Sequence, residues 1–551
     1  MGPARPMTRQ RAALGIAGAA GLIAAVTLLA RAAGFTRILV FAGSVRAEGV
    51  GSVYQSVNAI PNVLFEVAAG GVLAAVAVPL IAHRLGAGER EHADRLASVL
   101  LSWALVVLVP LGALLWLAAP LLADWLVRAY DPRTHDVATT LLRIFSVQVP
   151  LYGVGIILVG LLQAHRRFLA AALAPLVSSV VVLGSYLWYG HLTGGATAPS
   201  AVGDDAIAVL GWGTTLGVVV LSLPLLVPAL ATGWRWRPGL RLEREDAVRI
   251  RALAGAGVLA LGAQQVAVLV TMWLANHSGT DGAFAVYQYA QAVYLLPYAV
   301  LAVPVATSAF PALATSTGAG EDSSATLARS LRAVLVLTAL AAGMLVAAAP
   351  PIGAFFTVLD ARQGAQGASP EALAALAPSL TAFAPGVVGF GLTALLTRAL
   401  YVRGRPLDAA MAVSLGWAVA ALLPLVLVGP DRGAATTLRW VGLSSTLGMT
   451  LAAVLLVVLV RRSWAPEVTR GLARTTGAAV VALALALVVG DLVTRGRTYD
   501  GLLDAVLWGL AAGGAALMTG LLAIFYGDRR AMGAVRDRGR ARRRRGGEDT
   551  T

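Results

Sequence analysis

Fourteen apolar stretches recur along this 551-residue chain, at about 14–43, 52–82, 97–120, 138–163, 168–189, 207–230, 252–274, 283–313, 331–356, 372–401, 407–428, 438–460, 472–493 and 502–526. A helix needs about 20 apolar residues to cross a bilayer. Inside a bilayer every backbone N–H and C=O must be paired within the protein, which leaves helices as the natural spanning element for stretches of this length. Composition agrees: 58% of residues are hydrophobic, 13% are charged and the mean hydropathy is +0.77, values a soluble protein of this size does not sustain. The expected fold is an all-α polytopic membrane protein with about fourteen transmembrane helices. The first stretch lacks a signal-peptide cleavage pattern and is followed by more membrane sequence, so it is expected to be retained.

Arginine sets the expected orientation. The 43 basic residues include no lysine. With the N-terminus inside, the flanks facing the cytoplasm hold 32 arginines and the opposite flanks hold 8. This fourfold bias puts both termini in the cytoplasm, with Thr197 and Gly279 outside and Gly239 and the tail after Tyr526 inside. The protein is therefore expected in the cytoplasmic membrane. The C-terminal tail, with Arg538, Arg540 and the run Arg542 to Arg545, reads as a topology anchor or a contact for anionic lipid, at about 1 kcal/mol per arginine near the surface, rather than as a nucleic-acid site.

Several functional classes are disfavoured. The absence of cysteine removes disulfides, thiolate metal sites and cysteine nucleophiles. The six histidines, among them His83, His92, His165 and His277, show no ligand spacing, so no metal site and no cofactor are expected. The longest outer loop, about 190–206, is rich in Gly, Ala, Ser and Thr and reads as flexible. Its Asp204-Asp205 pair is expected to be a solvated turn rather than the acidic centre of a membrane glycosyltransferase.

Two arginines lie inside the first stretch, Arg31 and Arg37. An arginine at bilayer depth costs about 2.5–3.5 kcal/mol on insertion scales and is tolerated mainly beside a wet cavity, an anion or a carboxylate. Six residues apart on an unbroken helix, the two would point about 120° away from each other. A kink or unwound turn at Gly34 would aim both into one cavity; the alternative is that Arg37 snorkels to an interface.

A faint repeat divides the core. The second stretch reads Val53-Tyr54-Gln55, Ile60-Pro61-Asn62 and later Val78-Pro79; the eighth reads Val286-Tyr287-Gln288, Leu296-Pro297-Tyr298 and later Phe310-Pro311. The early prolines, Pro61 and Pro297, are candidate hinges 236 residues apart. Two six-helix halves at 1–240 and 241–465, two further helices at 466–526 and a basic tail at 527–551 account for the pattern. Such repeats mark transporters with discontinuous helices at the substrate site. Candidate site residues lie on single helix faces: Asn58, Asn62 and Glu66 at i, i+4 and i+8, continued by Gly70-Gly71, and Tyr287, Gln291, Tyr294 and Tyr298 in the eighth stretch. Gln264 and Gln265 add to them in the seventh. A glutamate on a lipid face is expensive, so Glu66 should face a cavity or an arginine. The glutamines and tyrosines read equally as cavity lining or interhelical glue.

At this point the residues resemble a family, the MurJ (MviN) lipid II flippases of the multidrug/oligosaccharidyl-lipid/polysaccharide exporter superfamily. The stretch Arg31-Ala32-Ala33-Gly34-Phe35-Thr36-Arg37 resembles the first-helix pattern S-R-x-x-G-F-x-R. Ile60-Pro61-Asn62, Ala69-Gly70-Gly71-Val72-Leu73 and Val78-Pro79 are similar to the second-helix pattern in an actinobacterial form. Leu141-Leu142-Arg143-Ile144, Gln163-Ala164-His165-Arg166-Arg167-Phe168 and Ala174-Pro175 resemble the fourth and fifth helices, and Gly389-Phe390-Gly391-Leu392-Thr393 with Leu396-Thr397-Arg398-Ala399-Leu400-Tyr401 the tenth. The resemblance implies a flippase that is not an enzyme. It would carry lipid II from the inner to the outer leaflet by alternating access for peptidoglycan synthesis, binding the pyrophosphate head through Arg31 and Arg37 and the polyprenyl tail along 472–526. It also implies membrane lipids and cell-wall synthesis proteins as partners, with any coupling to a cation or to the membrane potential left open. Three positions depart from the family: Ile38 replaces an acidic residue, Phe65 a basic one, and Ala292 lies where an arginine is expected. Arg143 reads either as a cavity residue or as an anchor. The competing readings are an exporter of another polyprenyl-linked glycan or amphipathic solute, and a glycosyltransferase or scaffold.

Overall fold

The computed structural model describes residues 7–67, 74–128, 131–307, 324–361 and 370–529. Among them every regular element is helical. In chain order the helices are α1 (Met7–Ser44), α2 (Val50–Phe65), α3 (Ala74–Gly86), α4 (Arg90–Leu117), α5 (Ala119–Leu126), α6 (Thr134–Ser146), α7 (Gln148–Ala164), α8 (Phe168–Thr193), α9 (Asp204–Ser222), α10 (Leu226–Leu230), α11 (Arg244–Ser278) and α12 (Ala283–Pro297). They continue with α13 (Ser324–Ala361), α14 (Pro370–Ala374), α15 (Leu376–Phe383), α16 (Gly386–Val402), α17 (Pro406–Leu427), α18 (Gly433–Ser463), α19 (Leu472–Thr494) and α20 (Leu502–Gly527).

Twelve spans among the described residues are long and apolar enough to cross a membrane, so this is a multi-pass membrane protein. A thirteenth is the pair Glu371–Phe383 and Gly386–Val402, bent by 50°. The second expected stretch is present as α2 and α3, each too short to span alone, on either side of residues 68–73, which lie outside the described set. Gly70-Gly71, Phe310-Pro311 and the arginine run of the tail also lie outside it.

Both proline-bearing segments leave α-helical geometry just past their proline. Pro61 lies inside α2, and Glu66-Val67 form a π-helical turn directly after that helix. Pro297 ends α12 and is followed by a π-helical turn at Tyr298–Ala302. A proline has no N–H to donate and its ring crowds the preceding turn, so the ladder shifts register nearby. Gly34 behaves differently. α1 runs through it without a break, so the unwound turn expected there is not formed. One glycine costs a helix only about 1 kcal/mol, less than the cost of exposing unpaired backbone groups to hydrocarbon.

The helices form two compact units. One comprises residues 1–46, 53–125 and 131–258, the other 47–52, 126–130 and 259–551. In the first, α8 packs between α1 and α9. In the second, α13 is the central element, and α19 and α20 pack against it. Small residues permit this: a Cβ on Gly343 would lie 3.1 Å from Ala486, and one on Gly490 only 2.6 Å from Ala347. α17 and α18 cross backbone to backbone at Gly416 and Gly448, where a Cβ on Gly416 would meet the Gly448 carbonyl oxygen at 2.6 Å.

The loop at 190–206, expected to be flexible, is tied down. The Arg46 guanidinium, 1% exposed, donates to the Gly195 carbonyl at 3.0 Å, and Arg133 to that of Val202 at 3.1 Å. The hydroxyl of Ser200 donates to Asp131, which holds that carboxyl below its usual range. Asp204-Asp205 is not a loop turn but the first turn of α9, where carboxylates complement the helix dipole and Asp204 pairs with Arg133.

Candidate functional site

The first unit carries a polar interior on an aromatic frame. Phe41 of α1, Tyr54 of α2, Phe145 of α6 and Tyr186 of α8 pack ring to ring at 5.2–5.9 Å. Each phenol in such a setting needs a partner. The Tyr54 hydroxyl lies 2.8 Å from that of Tyr186 and 3.0 Å from Thr214 Oγ1 of α9. A second chain runs beside it: Gln148 Nε2 donates to Thr215 Oγ1 at 2.9 Å, and the Tyr152 hydroxyl donates to Asn62 Oδ1 at 3.2 Å.

Arg37 sits against this interior. It is half-buried and close enough to Tyr54, Tyr152 and Tyr186 for its charge to act on all three phenols. This favours the bundle-facing reading of Arg37 over the interfacial one. Arg31 is exposed, and on the continuous α1 it lies about 120° around the helix from Arg37. The structure therefore brings Arg37, but not Arg31, to the tyrosine cluster.

The stripe on α2 is present. Asn58, Asn62 and Glu66 are all half-buried, with Asn62 Nδ2 donating to the Asn58 carbonyl at 2.8 Å. Among the described residues Glu66 makes no ion pair, with Arg31, Arg37 or any other cation. Phe65 packs its ring 4.5 Å from that of Tyr152, so an aromatic contact occupies the position where a cation was expected.

In the second unit the expected residues divide. Tyr294 is packed: it is 3% exposed, its ring lies 5.6 Å from Phe383, and its hydroxyl lies 3.1 Å from where a Cβ on Gly386 would stand. Its hydroxyl has no hydrogen-bond partner among the described residues, so ring packing is what ties Tyr294 to its neighbours. Gln291 donates to the Tyr287 hydroxyl at 3.1 Å along its own helix. Gln265 is buried, whereas Gln264 and Ala292 are half-buried.

Arg143 anchors. Its guanidinium lies over the ring of Trp116, 4.9 Å from the centroid, and Trp116 is exposed among the exposed side chains of Leu114 and Leu117. The histidines, by contrast, are less scattered than their spacing suggests. His92, Glu243 and Asp246 bring ligand atoms within 4.8 Å of one another. The cation among them is Arg84, 3.0 Å from Asp246 and 3.8 Å from Glu243, while His92 lies 2.8 Å from Glu243. Sequence reasoning also missed Gln148 and Tyr152; their i, i+4 spacing in an apolar span was the available signal.

The family model for lipid II flippase MurJ matches residues 44–501. The chain belongs to that family. Relatives of this MurJ family member include a probable lipid II flippase of Rhizobium tropici, 27% identical over 327 residues that cover 58% of this chain and 59% of the relative. One from Rhizobium meliloti (strain 1021) is 26% identical over 344 residues, covering 60% and 61%. The chain thus spans about three fifths of the length of these curated relatives. Among solved structures, its fold is similar to that of a lipid II flippase MurJ in an inward closed conformation, with a TM-score of 0.71 and 17% identity over 93% of this chain and 99% of that one. It is also similar to an inward-facing multidrug resistance transporter of the MATE family of the MOP superfamily, with a TM-score of 0.59 and 14% identity over 80% and 97%.

Proposed function

We propose that this protein is a flippase for lipid II, carrying the lipid-linked peptidoglycan precursor from the inner to the outer leaflet of the cytoplasmic membrane by alternating access. The observation that carries the reading is the family match over residues 44–501, and the placement of Arg37 supports it. A guanidinium at membrane depth, half-buried beside three phenols, is a donor set suited to a phosphate or pyrophosphate. In this reading Arg37 makes the principal contact, Arg31 meets the head group from its own face of α1, and Asn58, Asn62 and Glu66 line the approach. Gln264, Gln265 and Gln291 contact the sugar-peptide portion.

The π turns after Pro61 and Pro297 serve as hinges, being the places where the ladder is already out of α-helical register. Two six-helix halves, residues 1–240 and 241–465, move against each other, and 466–526 holds the polyprenyl tail. Both termini are cytoplasmic, a placement the arginine bias supports. The protein works without a resident cofactor, and its product feeds proteins of cell-wall synthesis.

A second reading rests on Phe65 and Ala292. With two expected cations absent, the cargo would be another polyprenyl-linked glycan or an amphipathic solute. One experiment separates them. Expression in a flippase-depleted strain, with lipid retention by the purified protein measured by native mass spectrometry, should give rescue and preferential retention of lipid II over a lipid lacking pyrophosphate. Failure of both would leave the second reading.

A further inference from the structure

Between α10 and α11 the chain runs as an irregular strap, residues 231–243, laid along α4. Its sequence alternates as Trp234-Arg235-Trp236-Arg237, and the alternation is physical. The tryptophans turn to α4: Trp234 is buried with Nε1 donating to the Asp94 carbonyl at 3.2 Å, and Trp236 Nε1 donates to Ser102 Oγ at 3.3 Å. Arg235 and Arg237 are exposed on the other side, followed by exposed Arg241. Among the described residues no carboxylate pairs with these three guanidinium groups.

The depth of the strap gives this arrangement its meaning. α4 has 28 residues, about 42 Å at 1.5 Å per residue, against a hydrocarbon core of about 30 Å. Its polar end is Arg90–Arg95, and its apolar run starts at Leu96. The strap contacts α4 from Asp94 to Trp103, the stretch where the helix passes from its polar end into its apolar run. Irregular backbone at that level must be paired within the protein. Two serines one turn apart do this: Arg237 N–H donates to Ser98 Oγ and Gly239 N–H to Ser102 Oγ, each at 3.3 Å, while Trp103 Nε1 donates to the Leu240 carbonyl at 3.0 Å. Beside these bonds Trp103, Trp236 and Leu240 remain 42%, 46% and 49% exposed, an amphipathic edge suited to the boundary between headgroups and acyl chains.

We infer that this strap is a binding surface for anionic phospholipid, with Trp103, Trp236 and Leu240 seated at the acyl boundary and Arg235, Arg237 and Arg241 on the headgroup phosphates. In the orientation proposed above this is the cytoplasmic leaflet. The end of the strap is fixed by the contact of Glu243 with His92 of α4, and the start of α11 by that of Asp246 with Arg84 of α3.

The test uses the full-length purified protein in mixed micelles containing phosphatidylglycerol and phosphatidylcholine, with bound lipid counted by native mass spectrometry. The triple variant Arg235→Gln/Arg237→Gln/Arg241→Gln should lose phosphatidylglycerol affinity by about tenfold or more while keeping its melting temperature and phosphatidylcholine binding. The pair Arg461→Gln/Arg462→Gln, on exposed arginines at the end of α18, should change it little. Where the triple variant does not fold, Arg237→Gln alone should still lower retention of phosphatidylglycerol. Unchanged retention in the strap variants, or an equal loss at Arg461 and Arg462, overturns the inference. Because the probe is an ordinary phospholipid, the result is independent of whether lipid II is the cargo.

Discussion

Replacing Tyr54 by Phe keeps the ring that packs between Phe41 and Phe145 and deletes only the hydroxyl. That hydroxyl is bonded at 2.8 Å to Tyr186 and at 3.0 Å to Thr214. Thr214 also bonds the Leu210 carbonyl at 2.7 Å and stays satisfied, so the group orphaned is the Tyr186 phenol, 5% exposed. An unsatisfied buried hydroxyl costs about 1–3 kcal/mol, whereas hydrogen bonds between membrane helices average about 0.6 and reach about 1.7 kcal/mol. The single substitution should therefore destabilise by about 1 kcal/mol. Tyr54→Phe/Tyr186→Phe, which removes both partners, should cost less than the two singles added, leaving a coupling of about 0.6–1.7 kcal/mol. Equilibrium denaturation in mixed micelles measures it. Additive losses, or no loss in the single variants, would refute the account of this interior.

Three further outcomes are expected. Asp281 lies in the loop before α12, where burial raises its carboxyl above the usual range although Gly49 N–H donates to it at 2.8 Å. Its deprotonation then opposes folding, so stability should fall as pH rises from about 4 toward the raised value. Asp281→Asn should flatten that part of the pH–stability profile, and an unaltered profile would count against the assignment. Gly448→Ala sets a methyl against the Gly416 carbonyl and should destabilise by about 1–3 kcal/mol or more in the same denaturation assay, whereas the control Gly514→Ala, mid-helix where the structure leaves open space, should stabilise by up to about 1 kcal/mol. Glu66→Gln should change the rate of transport with membrane insertion intact; an unchanged rate in proteoliposomes would make Glu66 a packing residue.

Helical class and the span pattern were legible because apolar length is a property of the sequence itself, and the bent tenth span fell within one expected stretch. The proline pair was legible for a similar reason: a missing N–H acts locally, and both π turns follow within five residues. Gly34 misled because a glycine permits a break without requiring one. Tyr294 lay on a candidate face of the helix wheel, but its packing is set by Phe383 and Gly386, some 90 residues away in sequence. The contacts of His92 with Glu243, and of Ser98 and Ser102 with the strap, join positions more than 130 residues apart, which no local spacing reports. Arg37 could be flagged from sequence, but only the packing of α2, α7 and α8 shows which phenols lie near it.

The central claim is that first-helix arginines recognise the pyrophosphate of lipid II. It is tested most directly by lipid II binding to the Arg31→Ala/Arg37→Ala variant, alongside growth of a flippase-depleted strain at matched expression. Charge-assisted hydrogen bonds contribute about 1.5–3 kcal/mol each, so affinity should fall by about tenfold or more. Arg37→Ala alone should account for most of the loss, and Arg37→Lys should restore part of it, because lysine keeps the charge without the bidentate fork. Normal affinity and normal growth in the double variant would contradict both the site and the lipid II assignment.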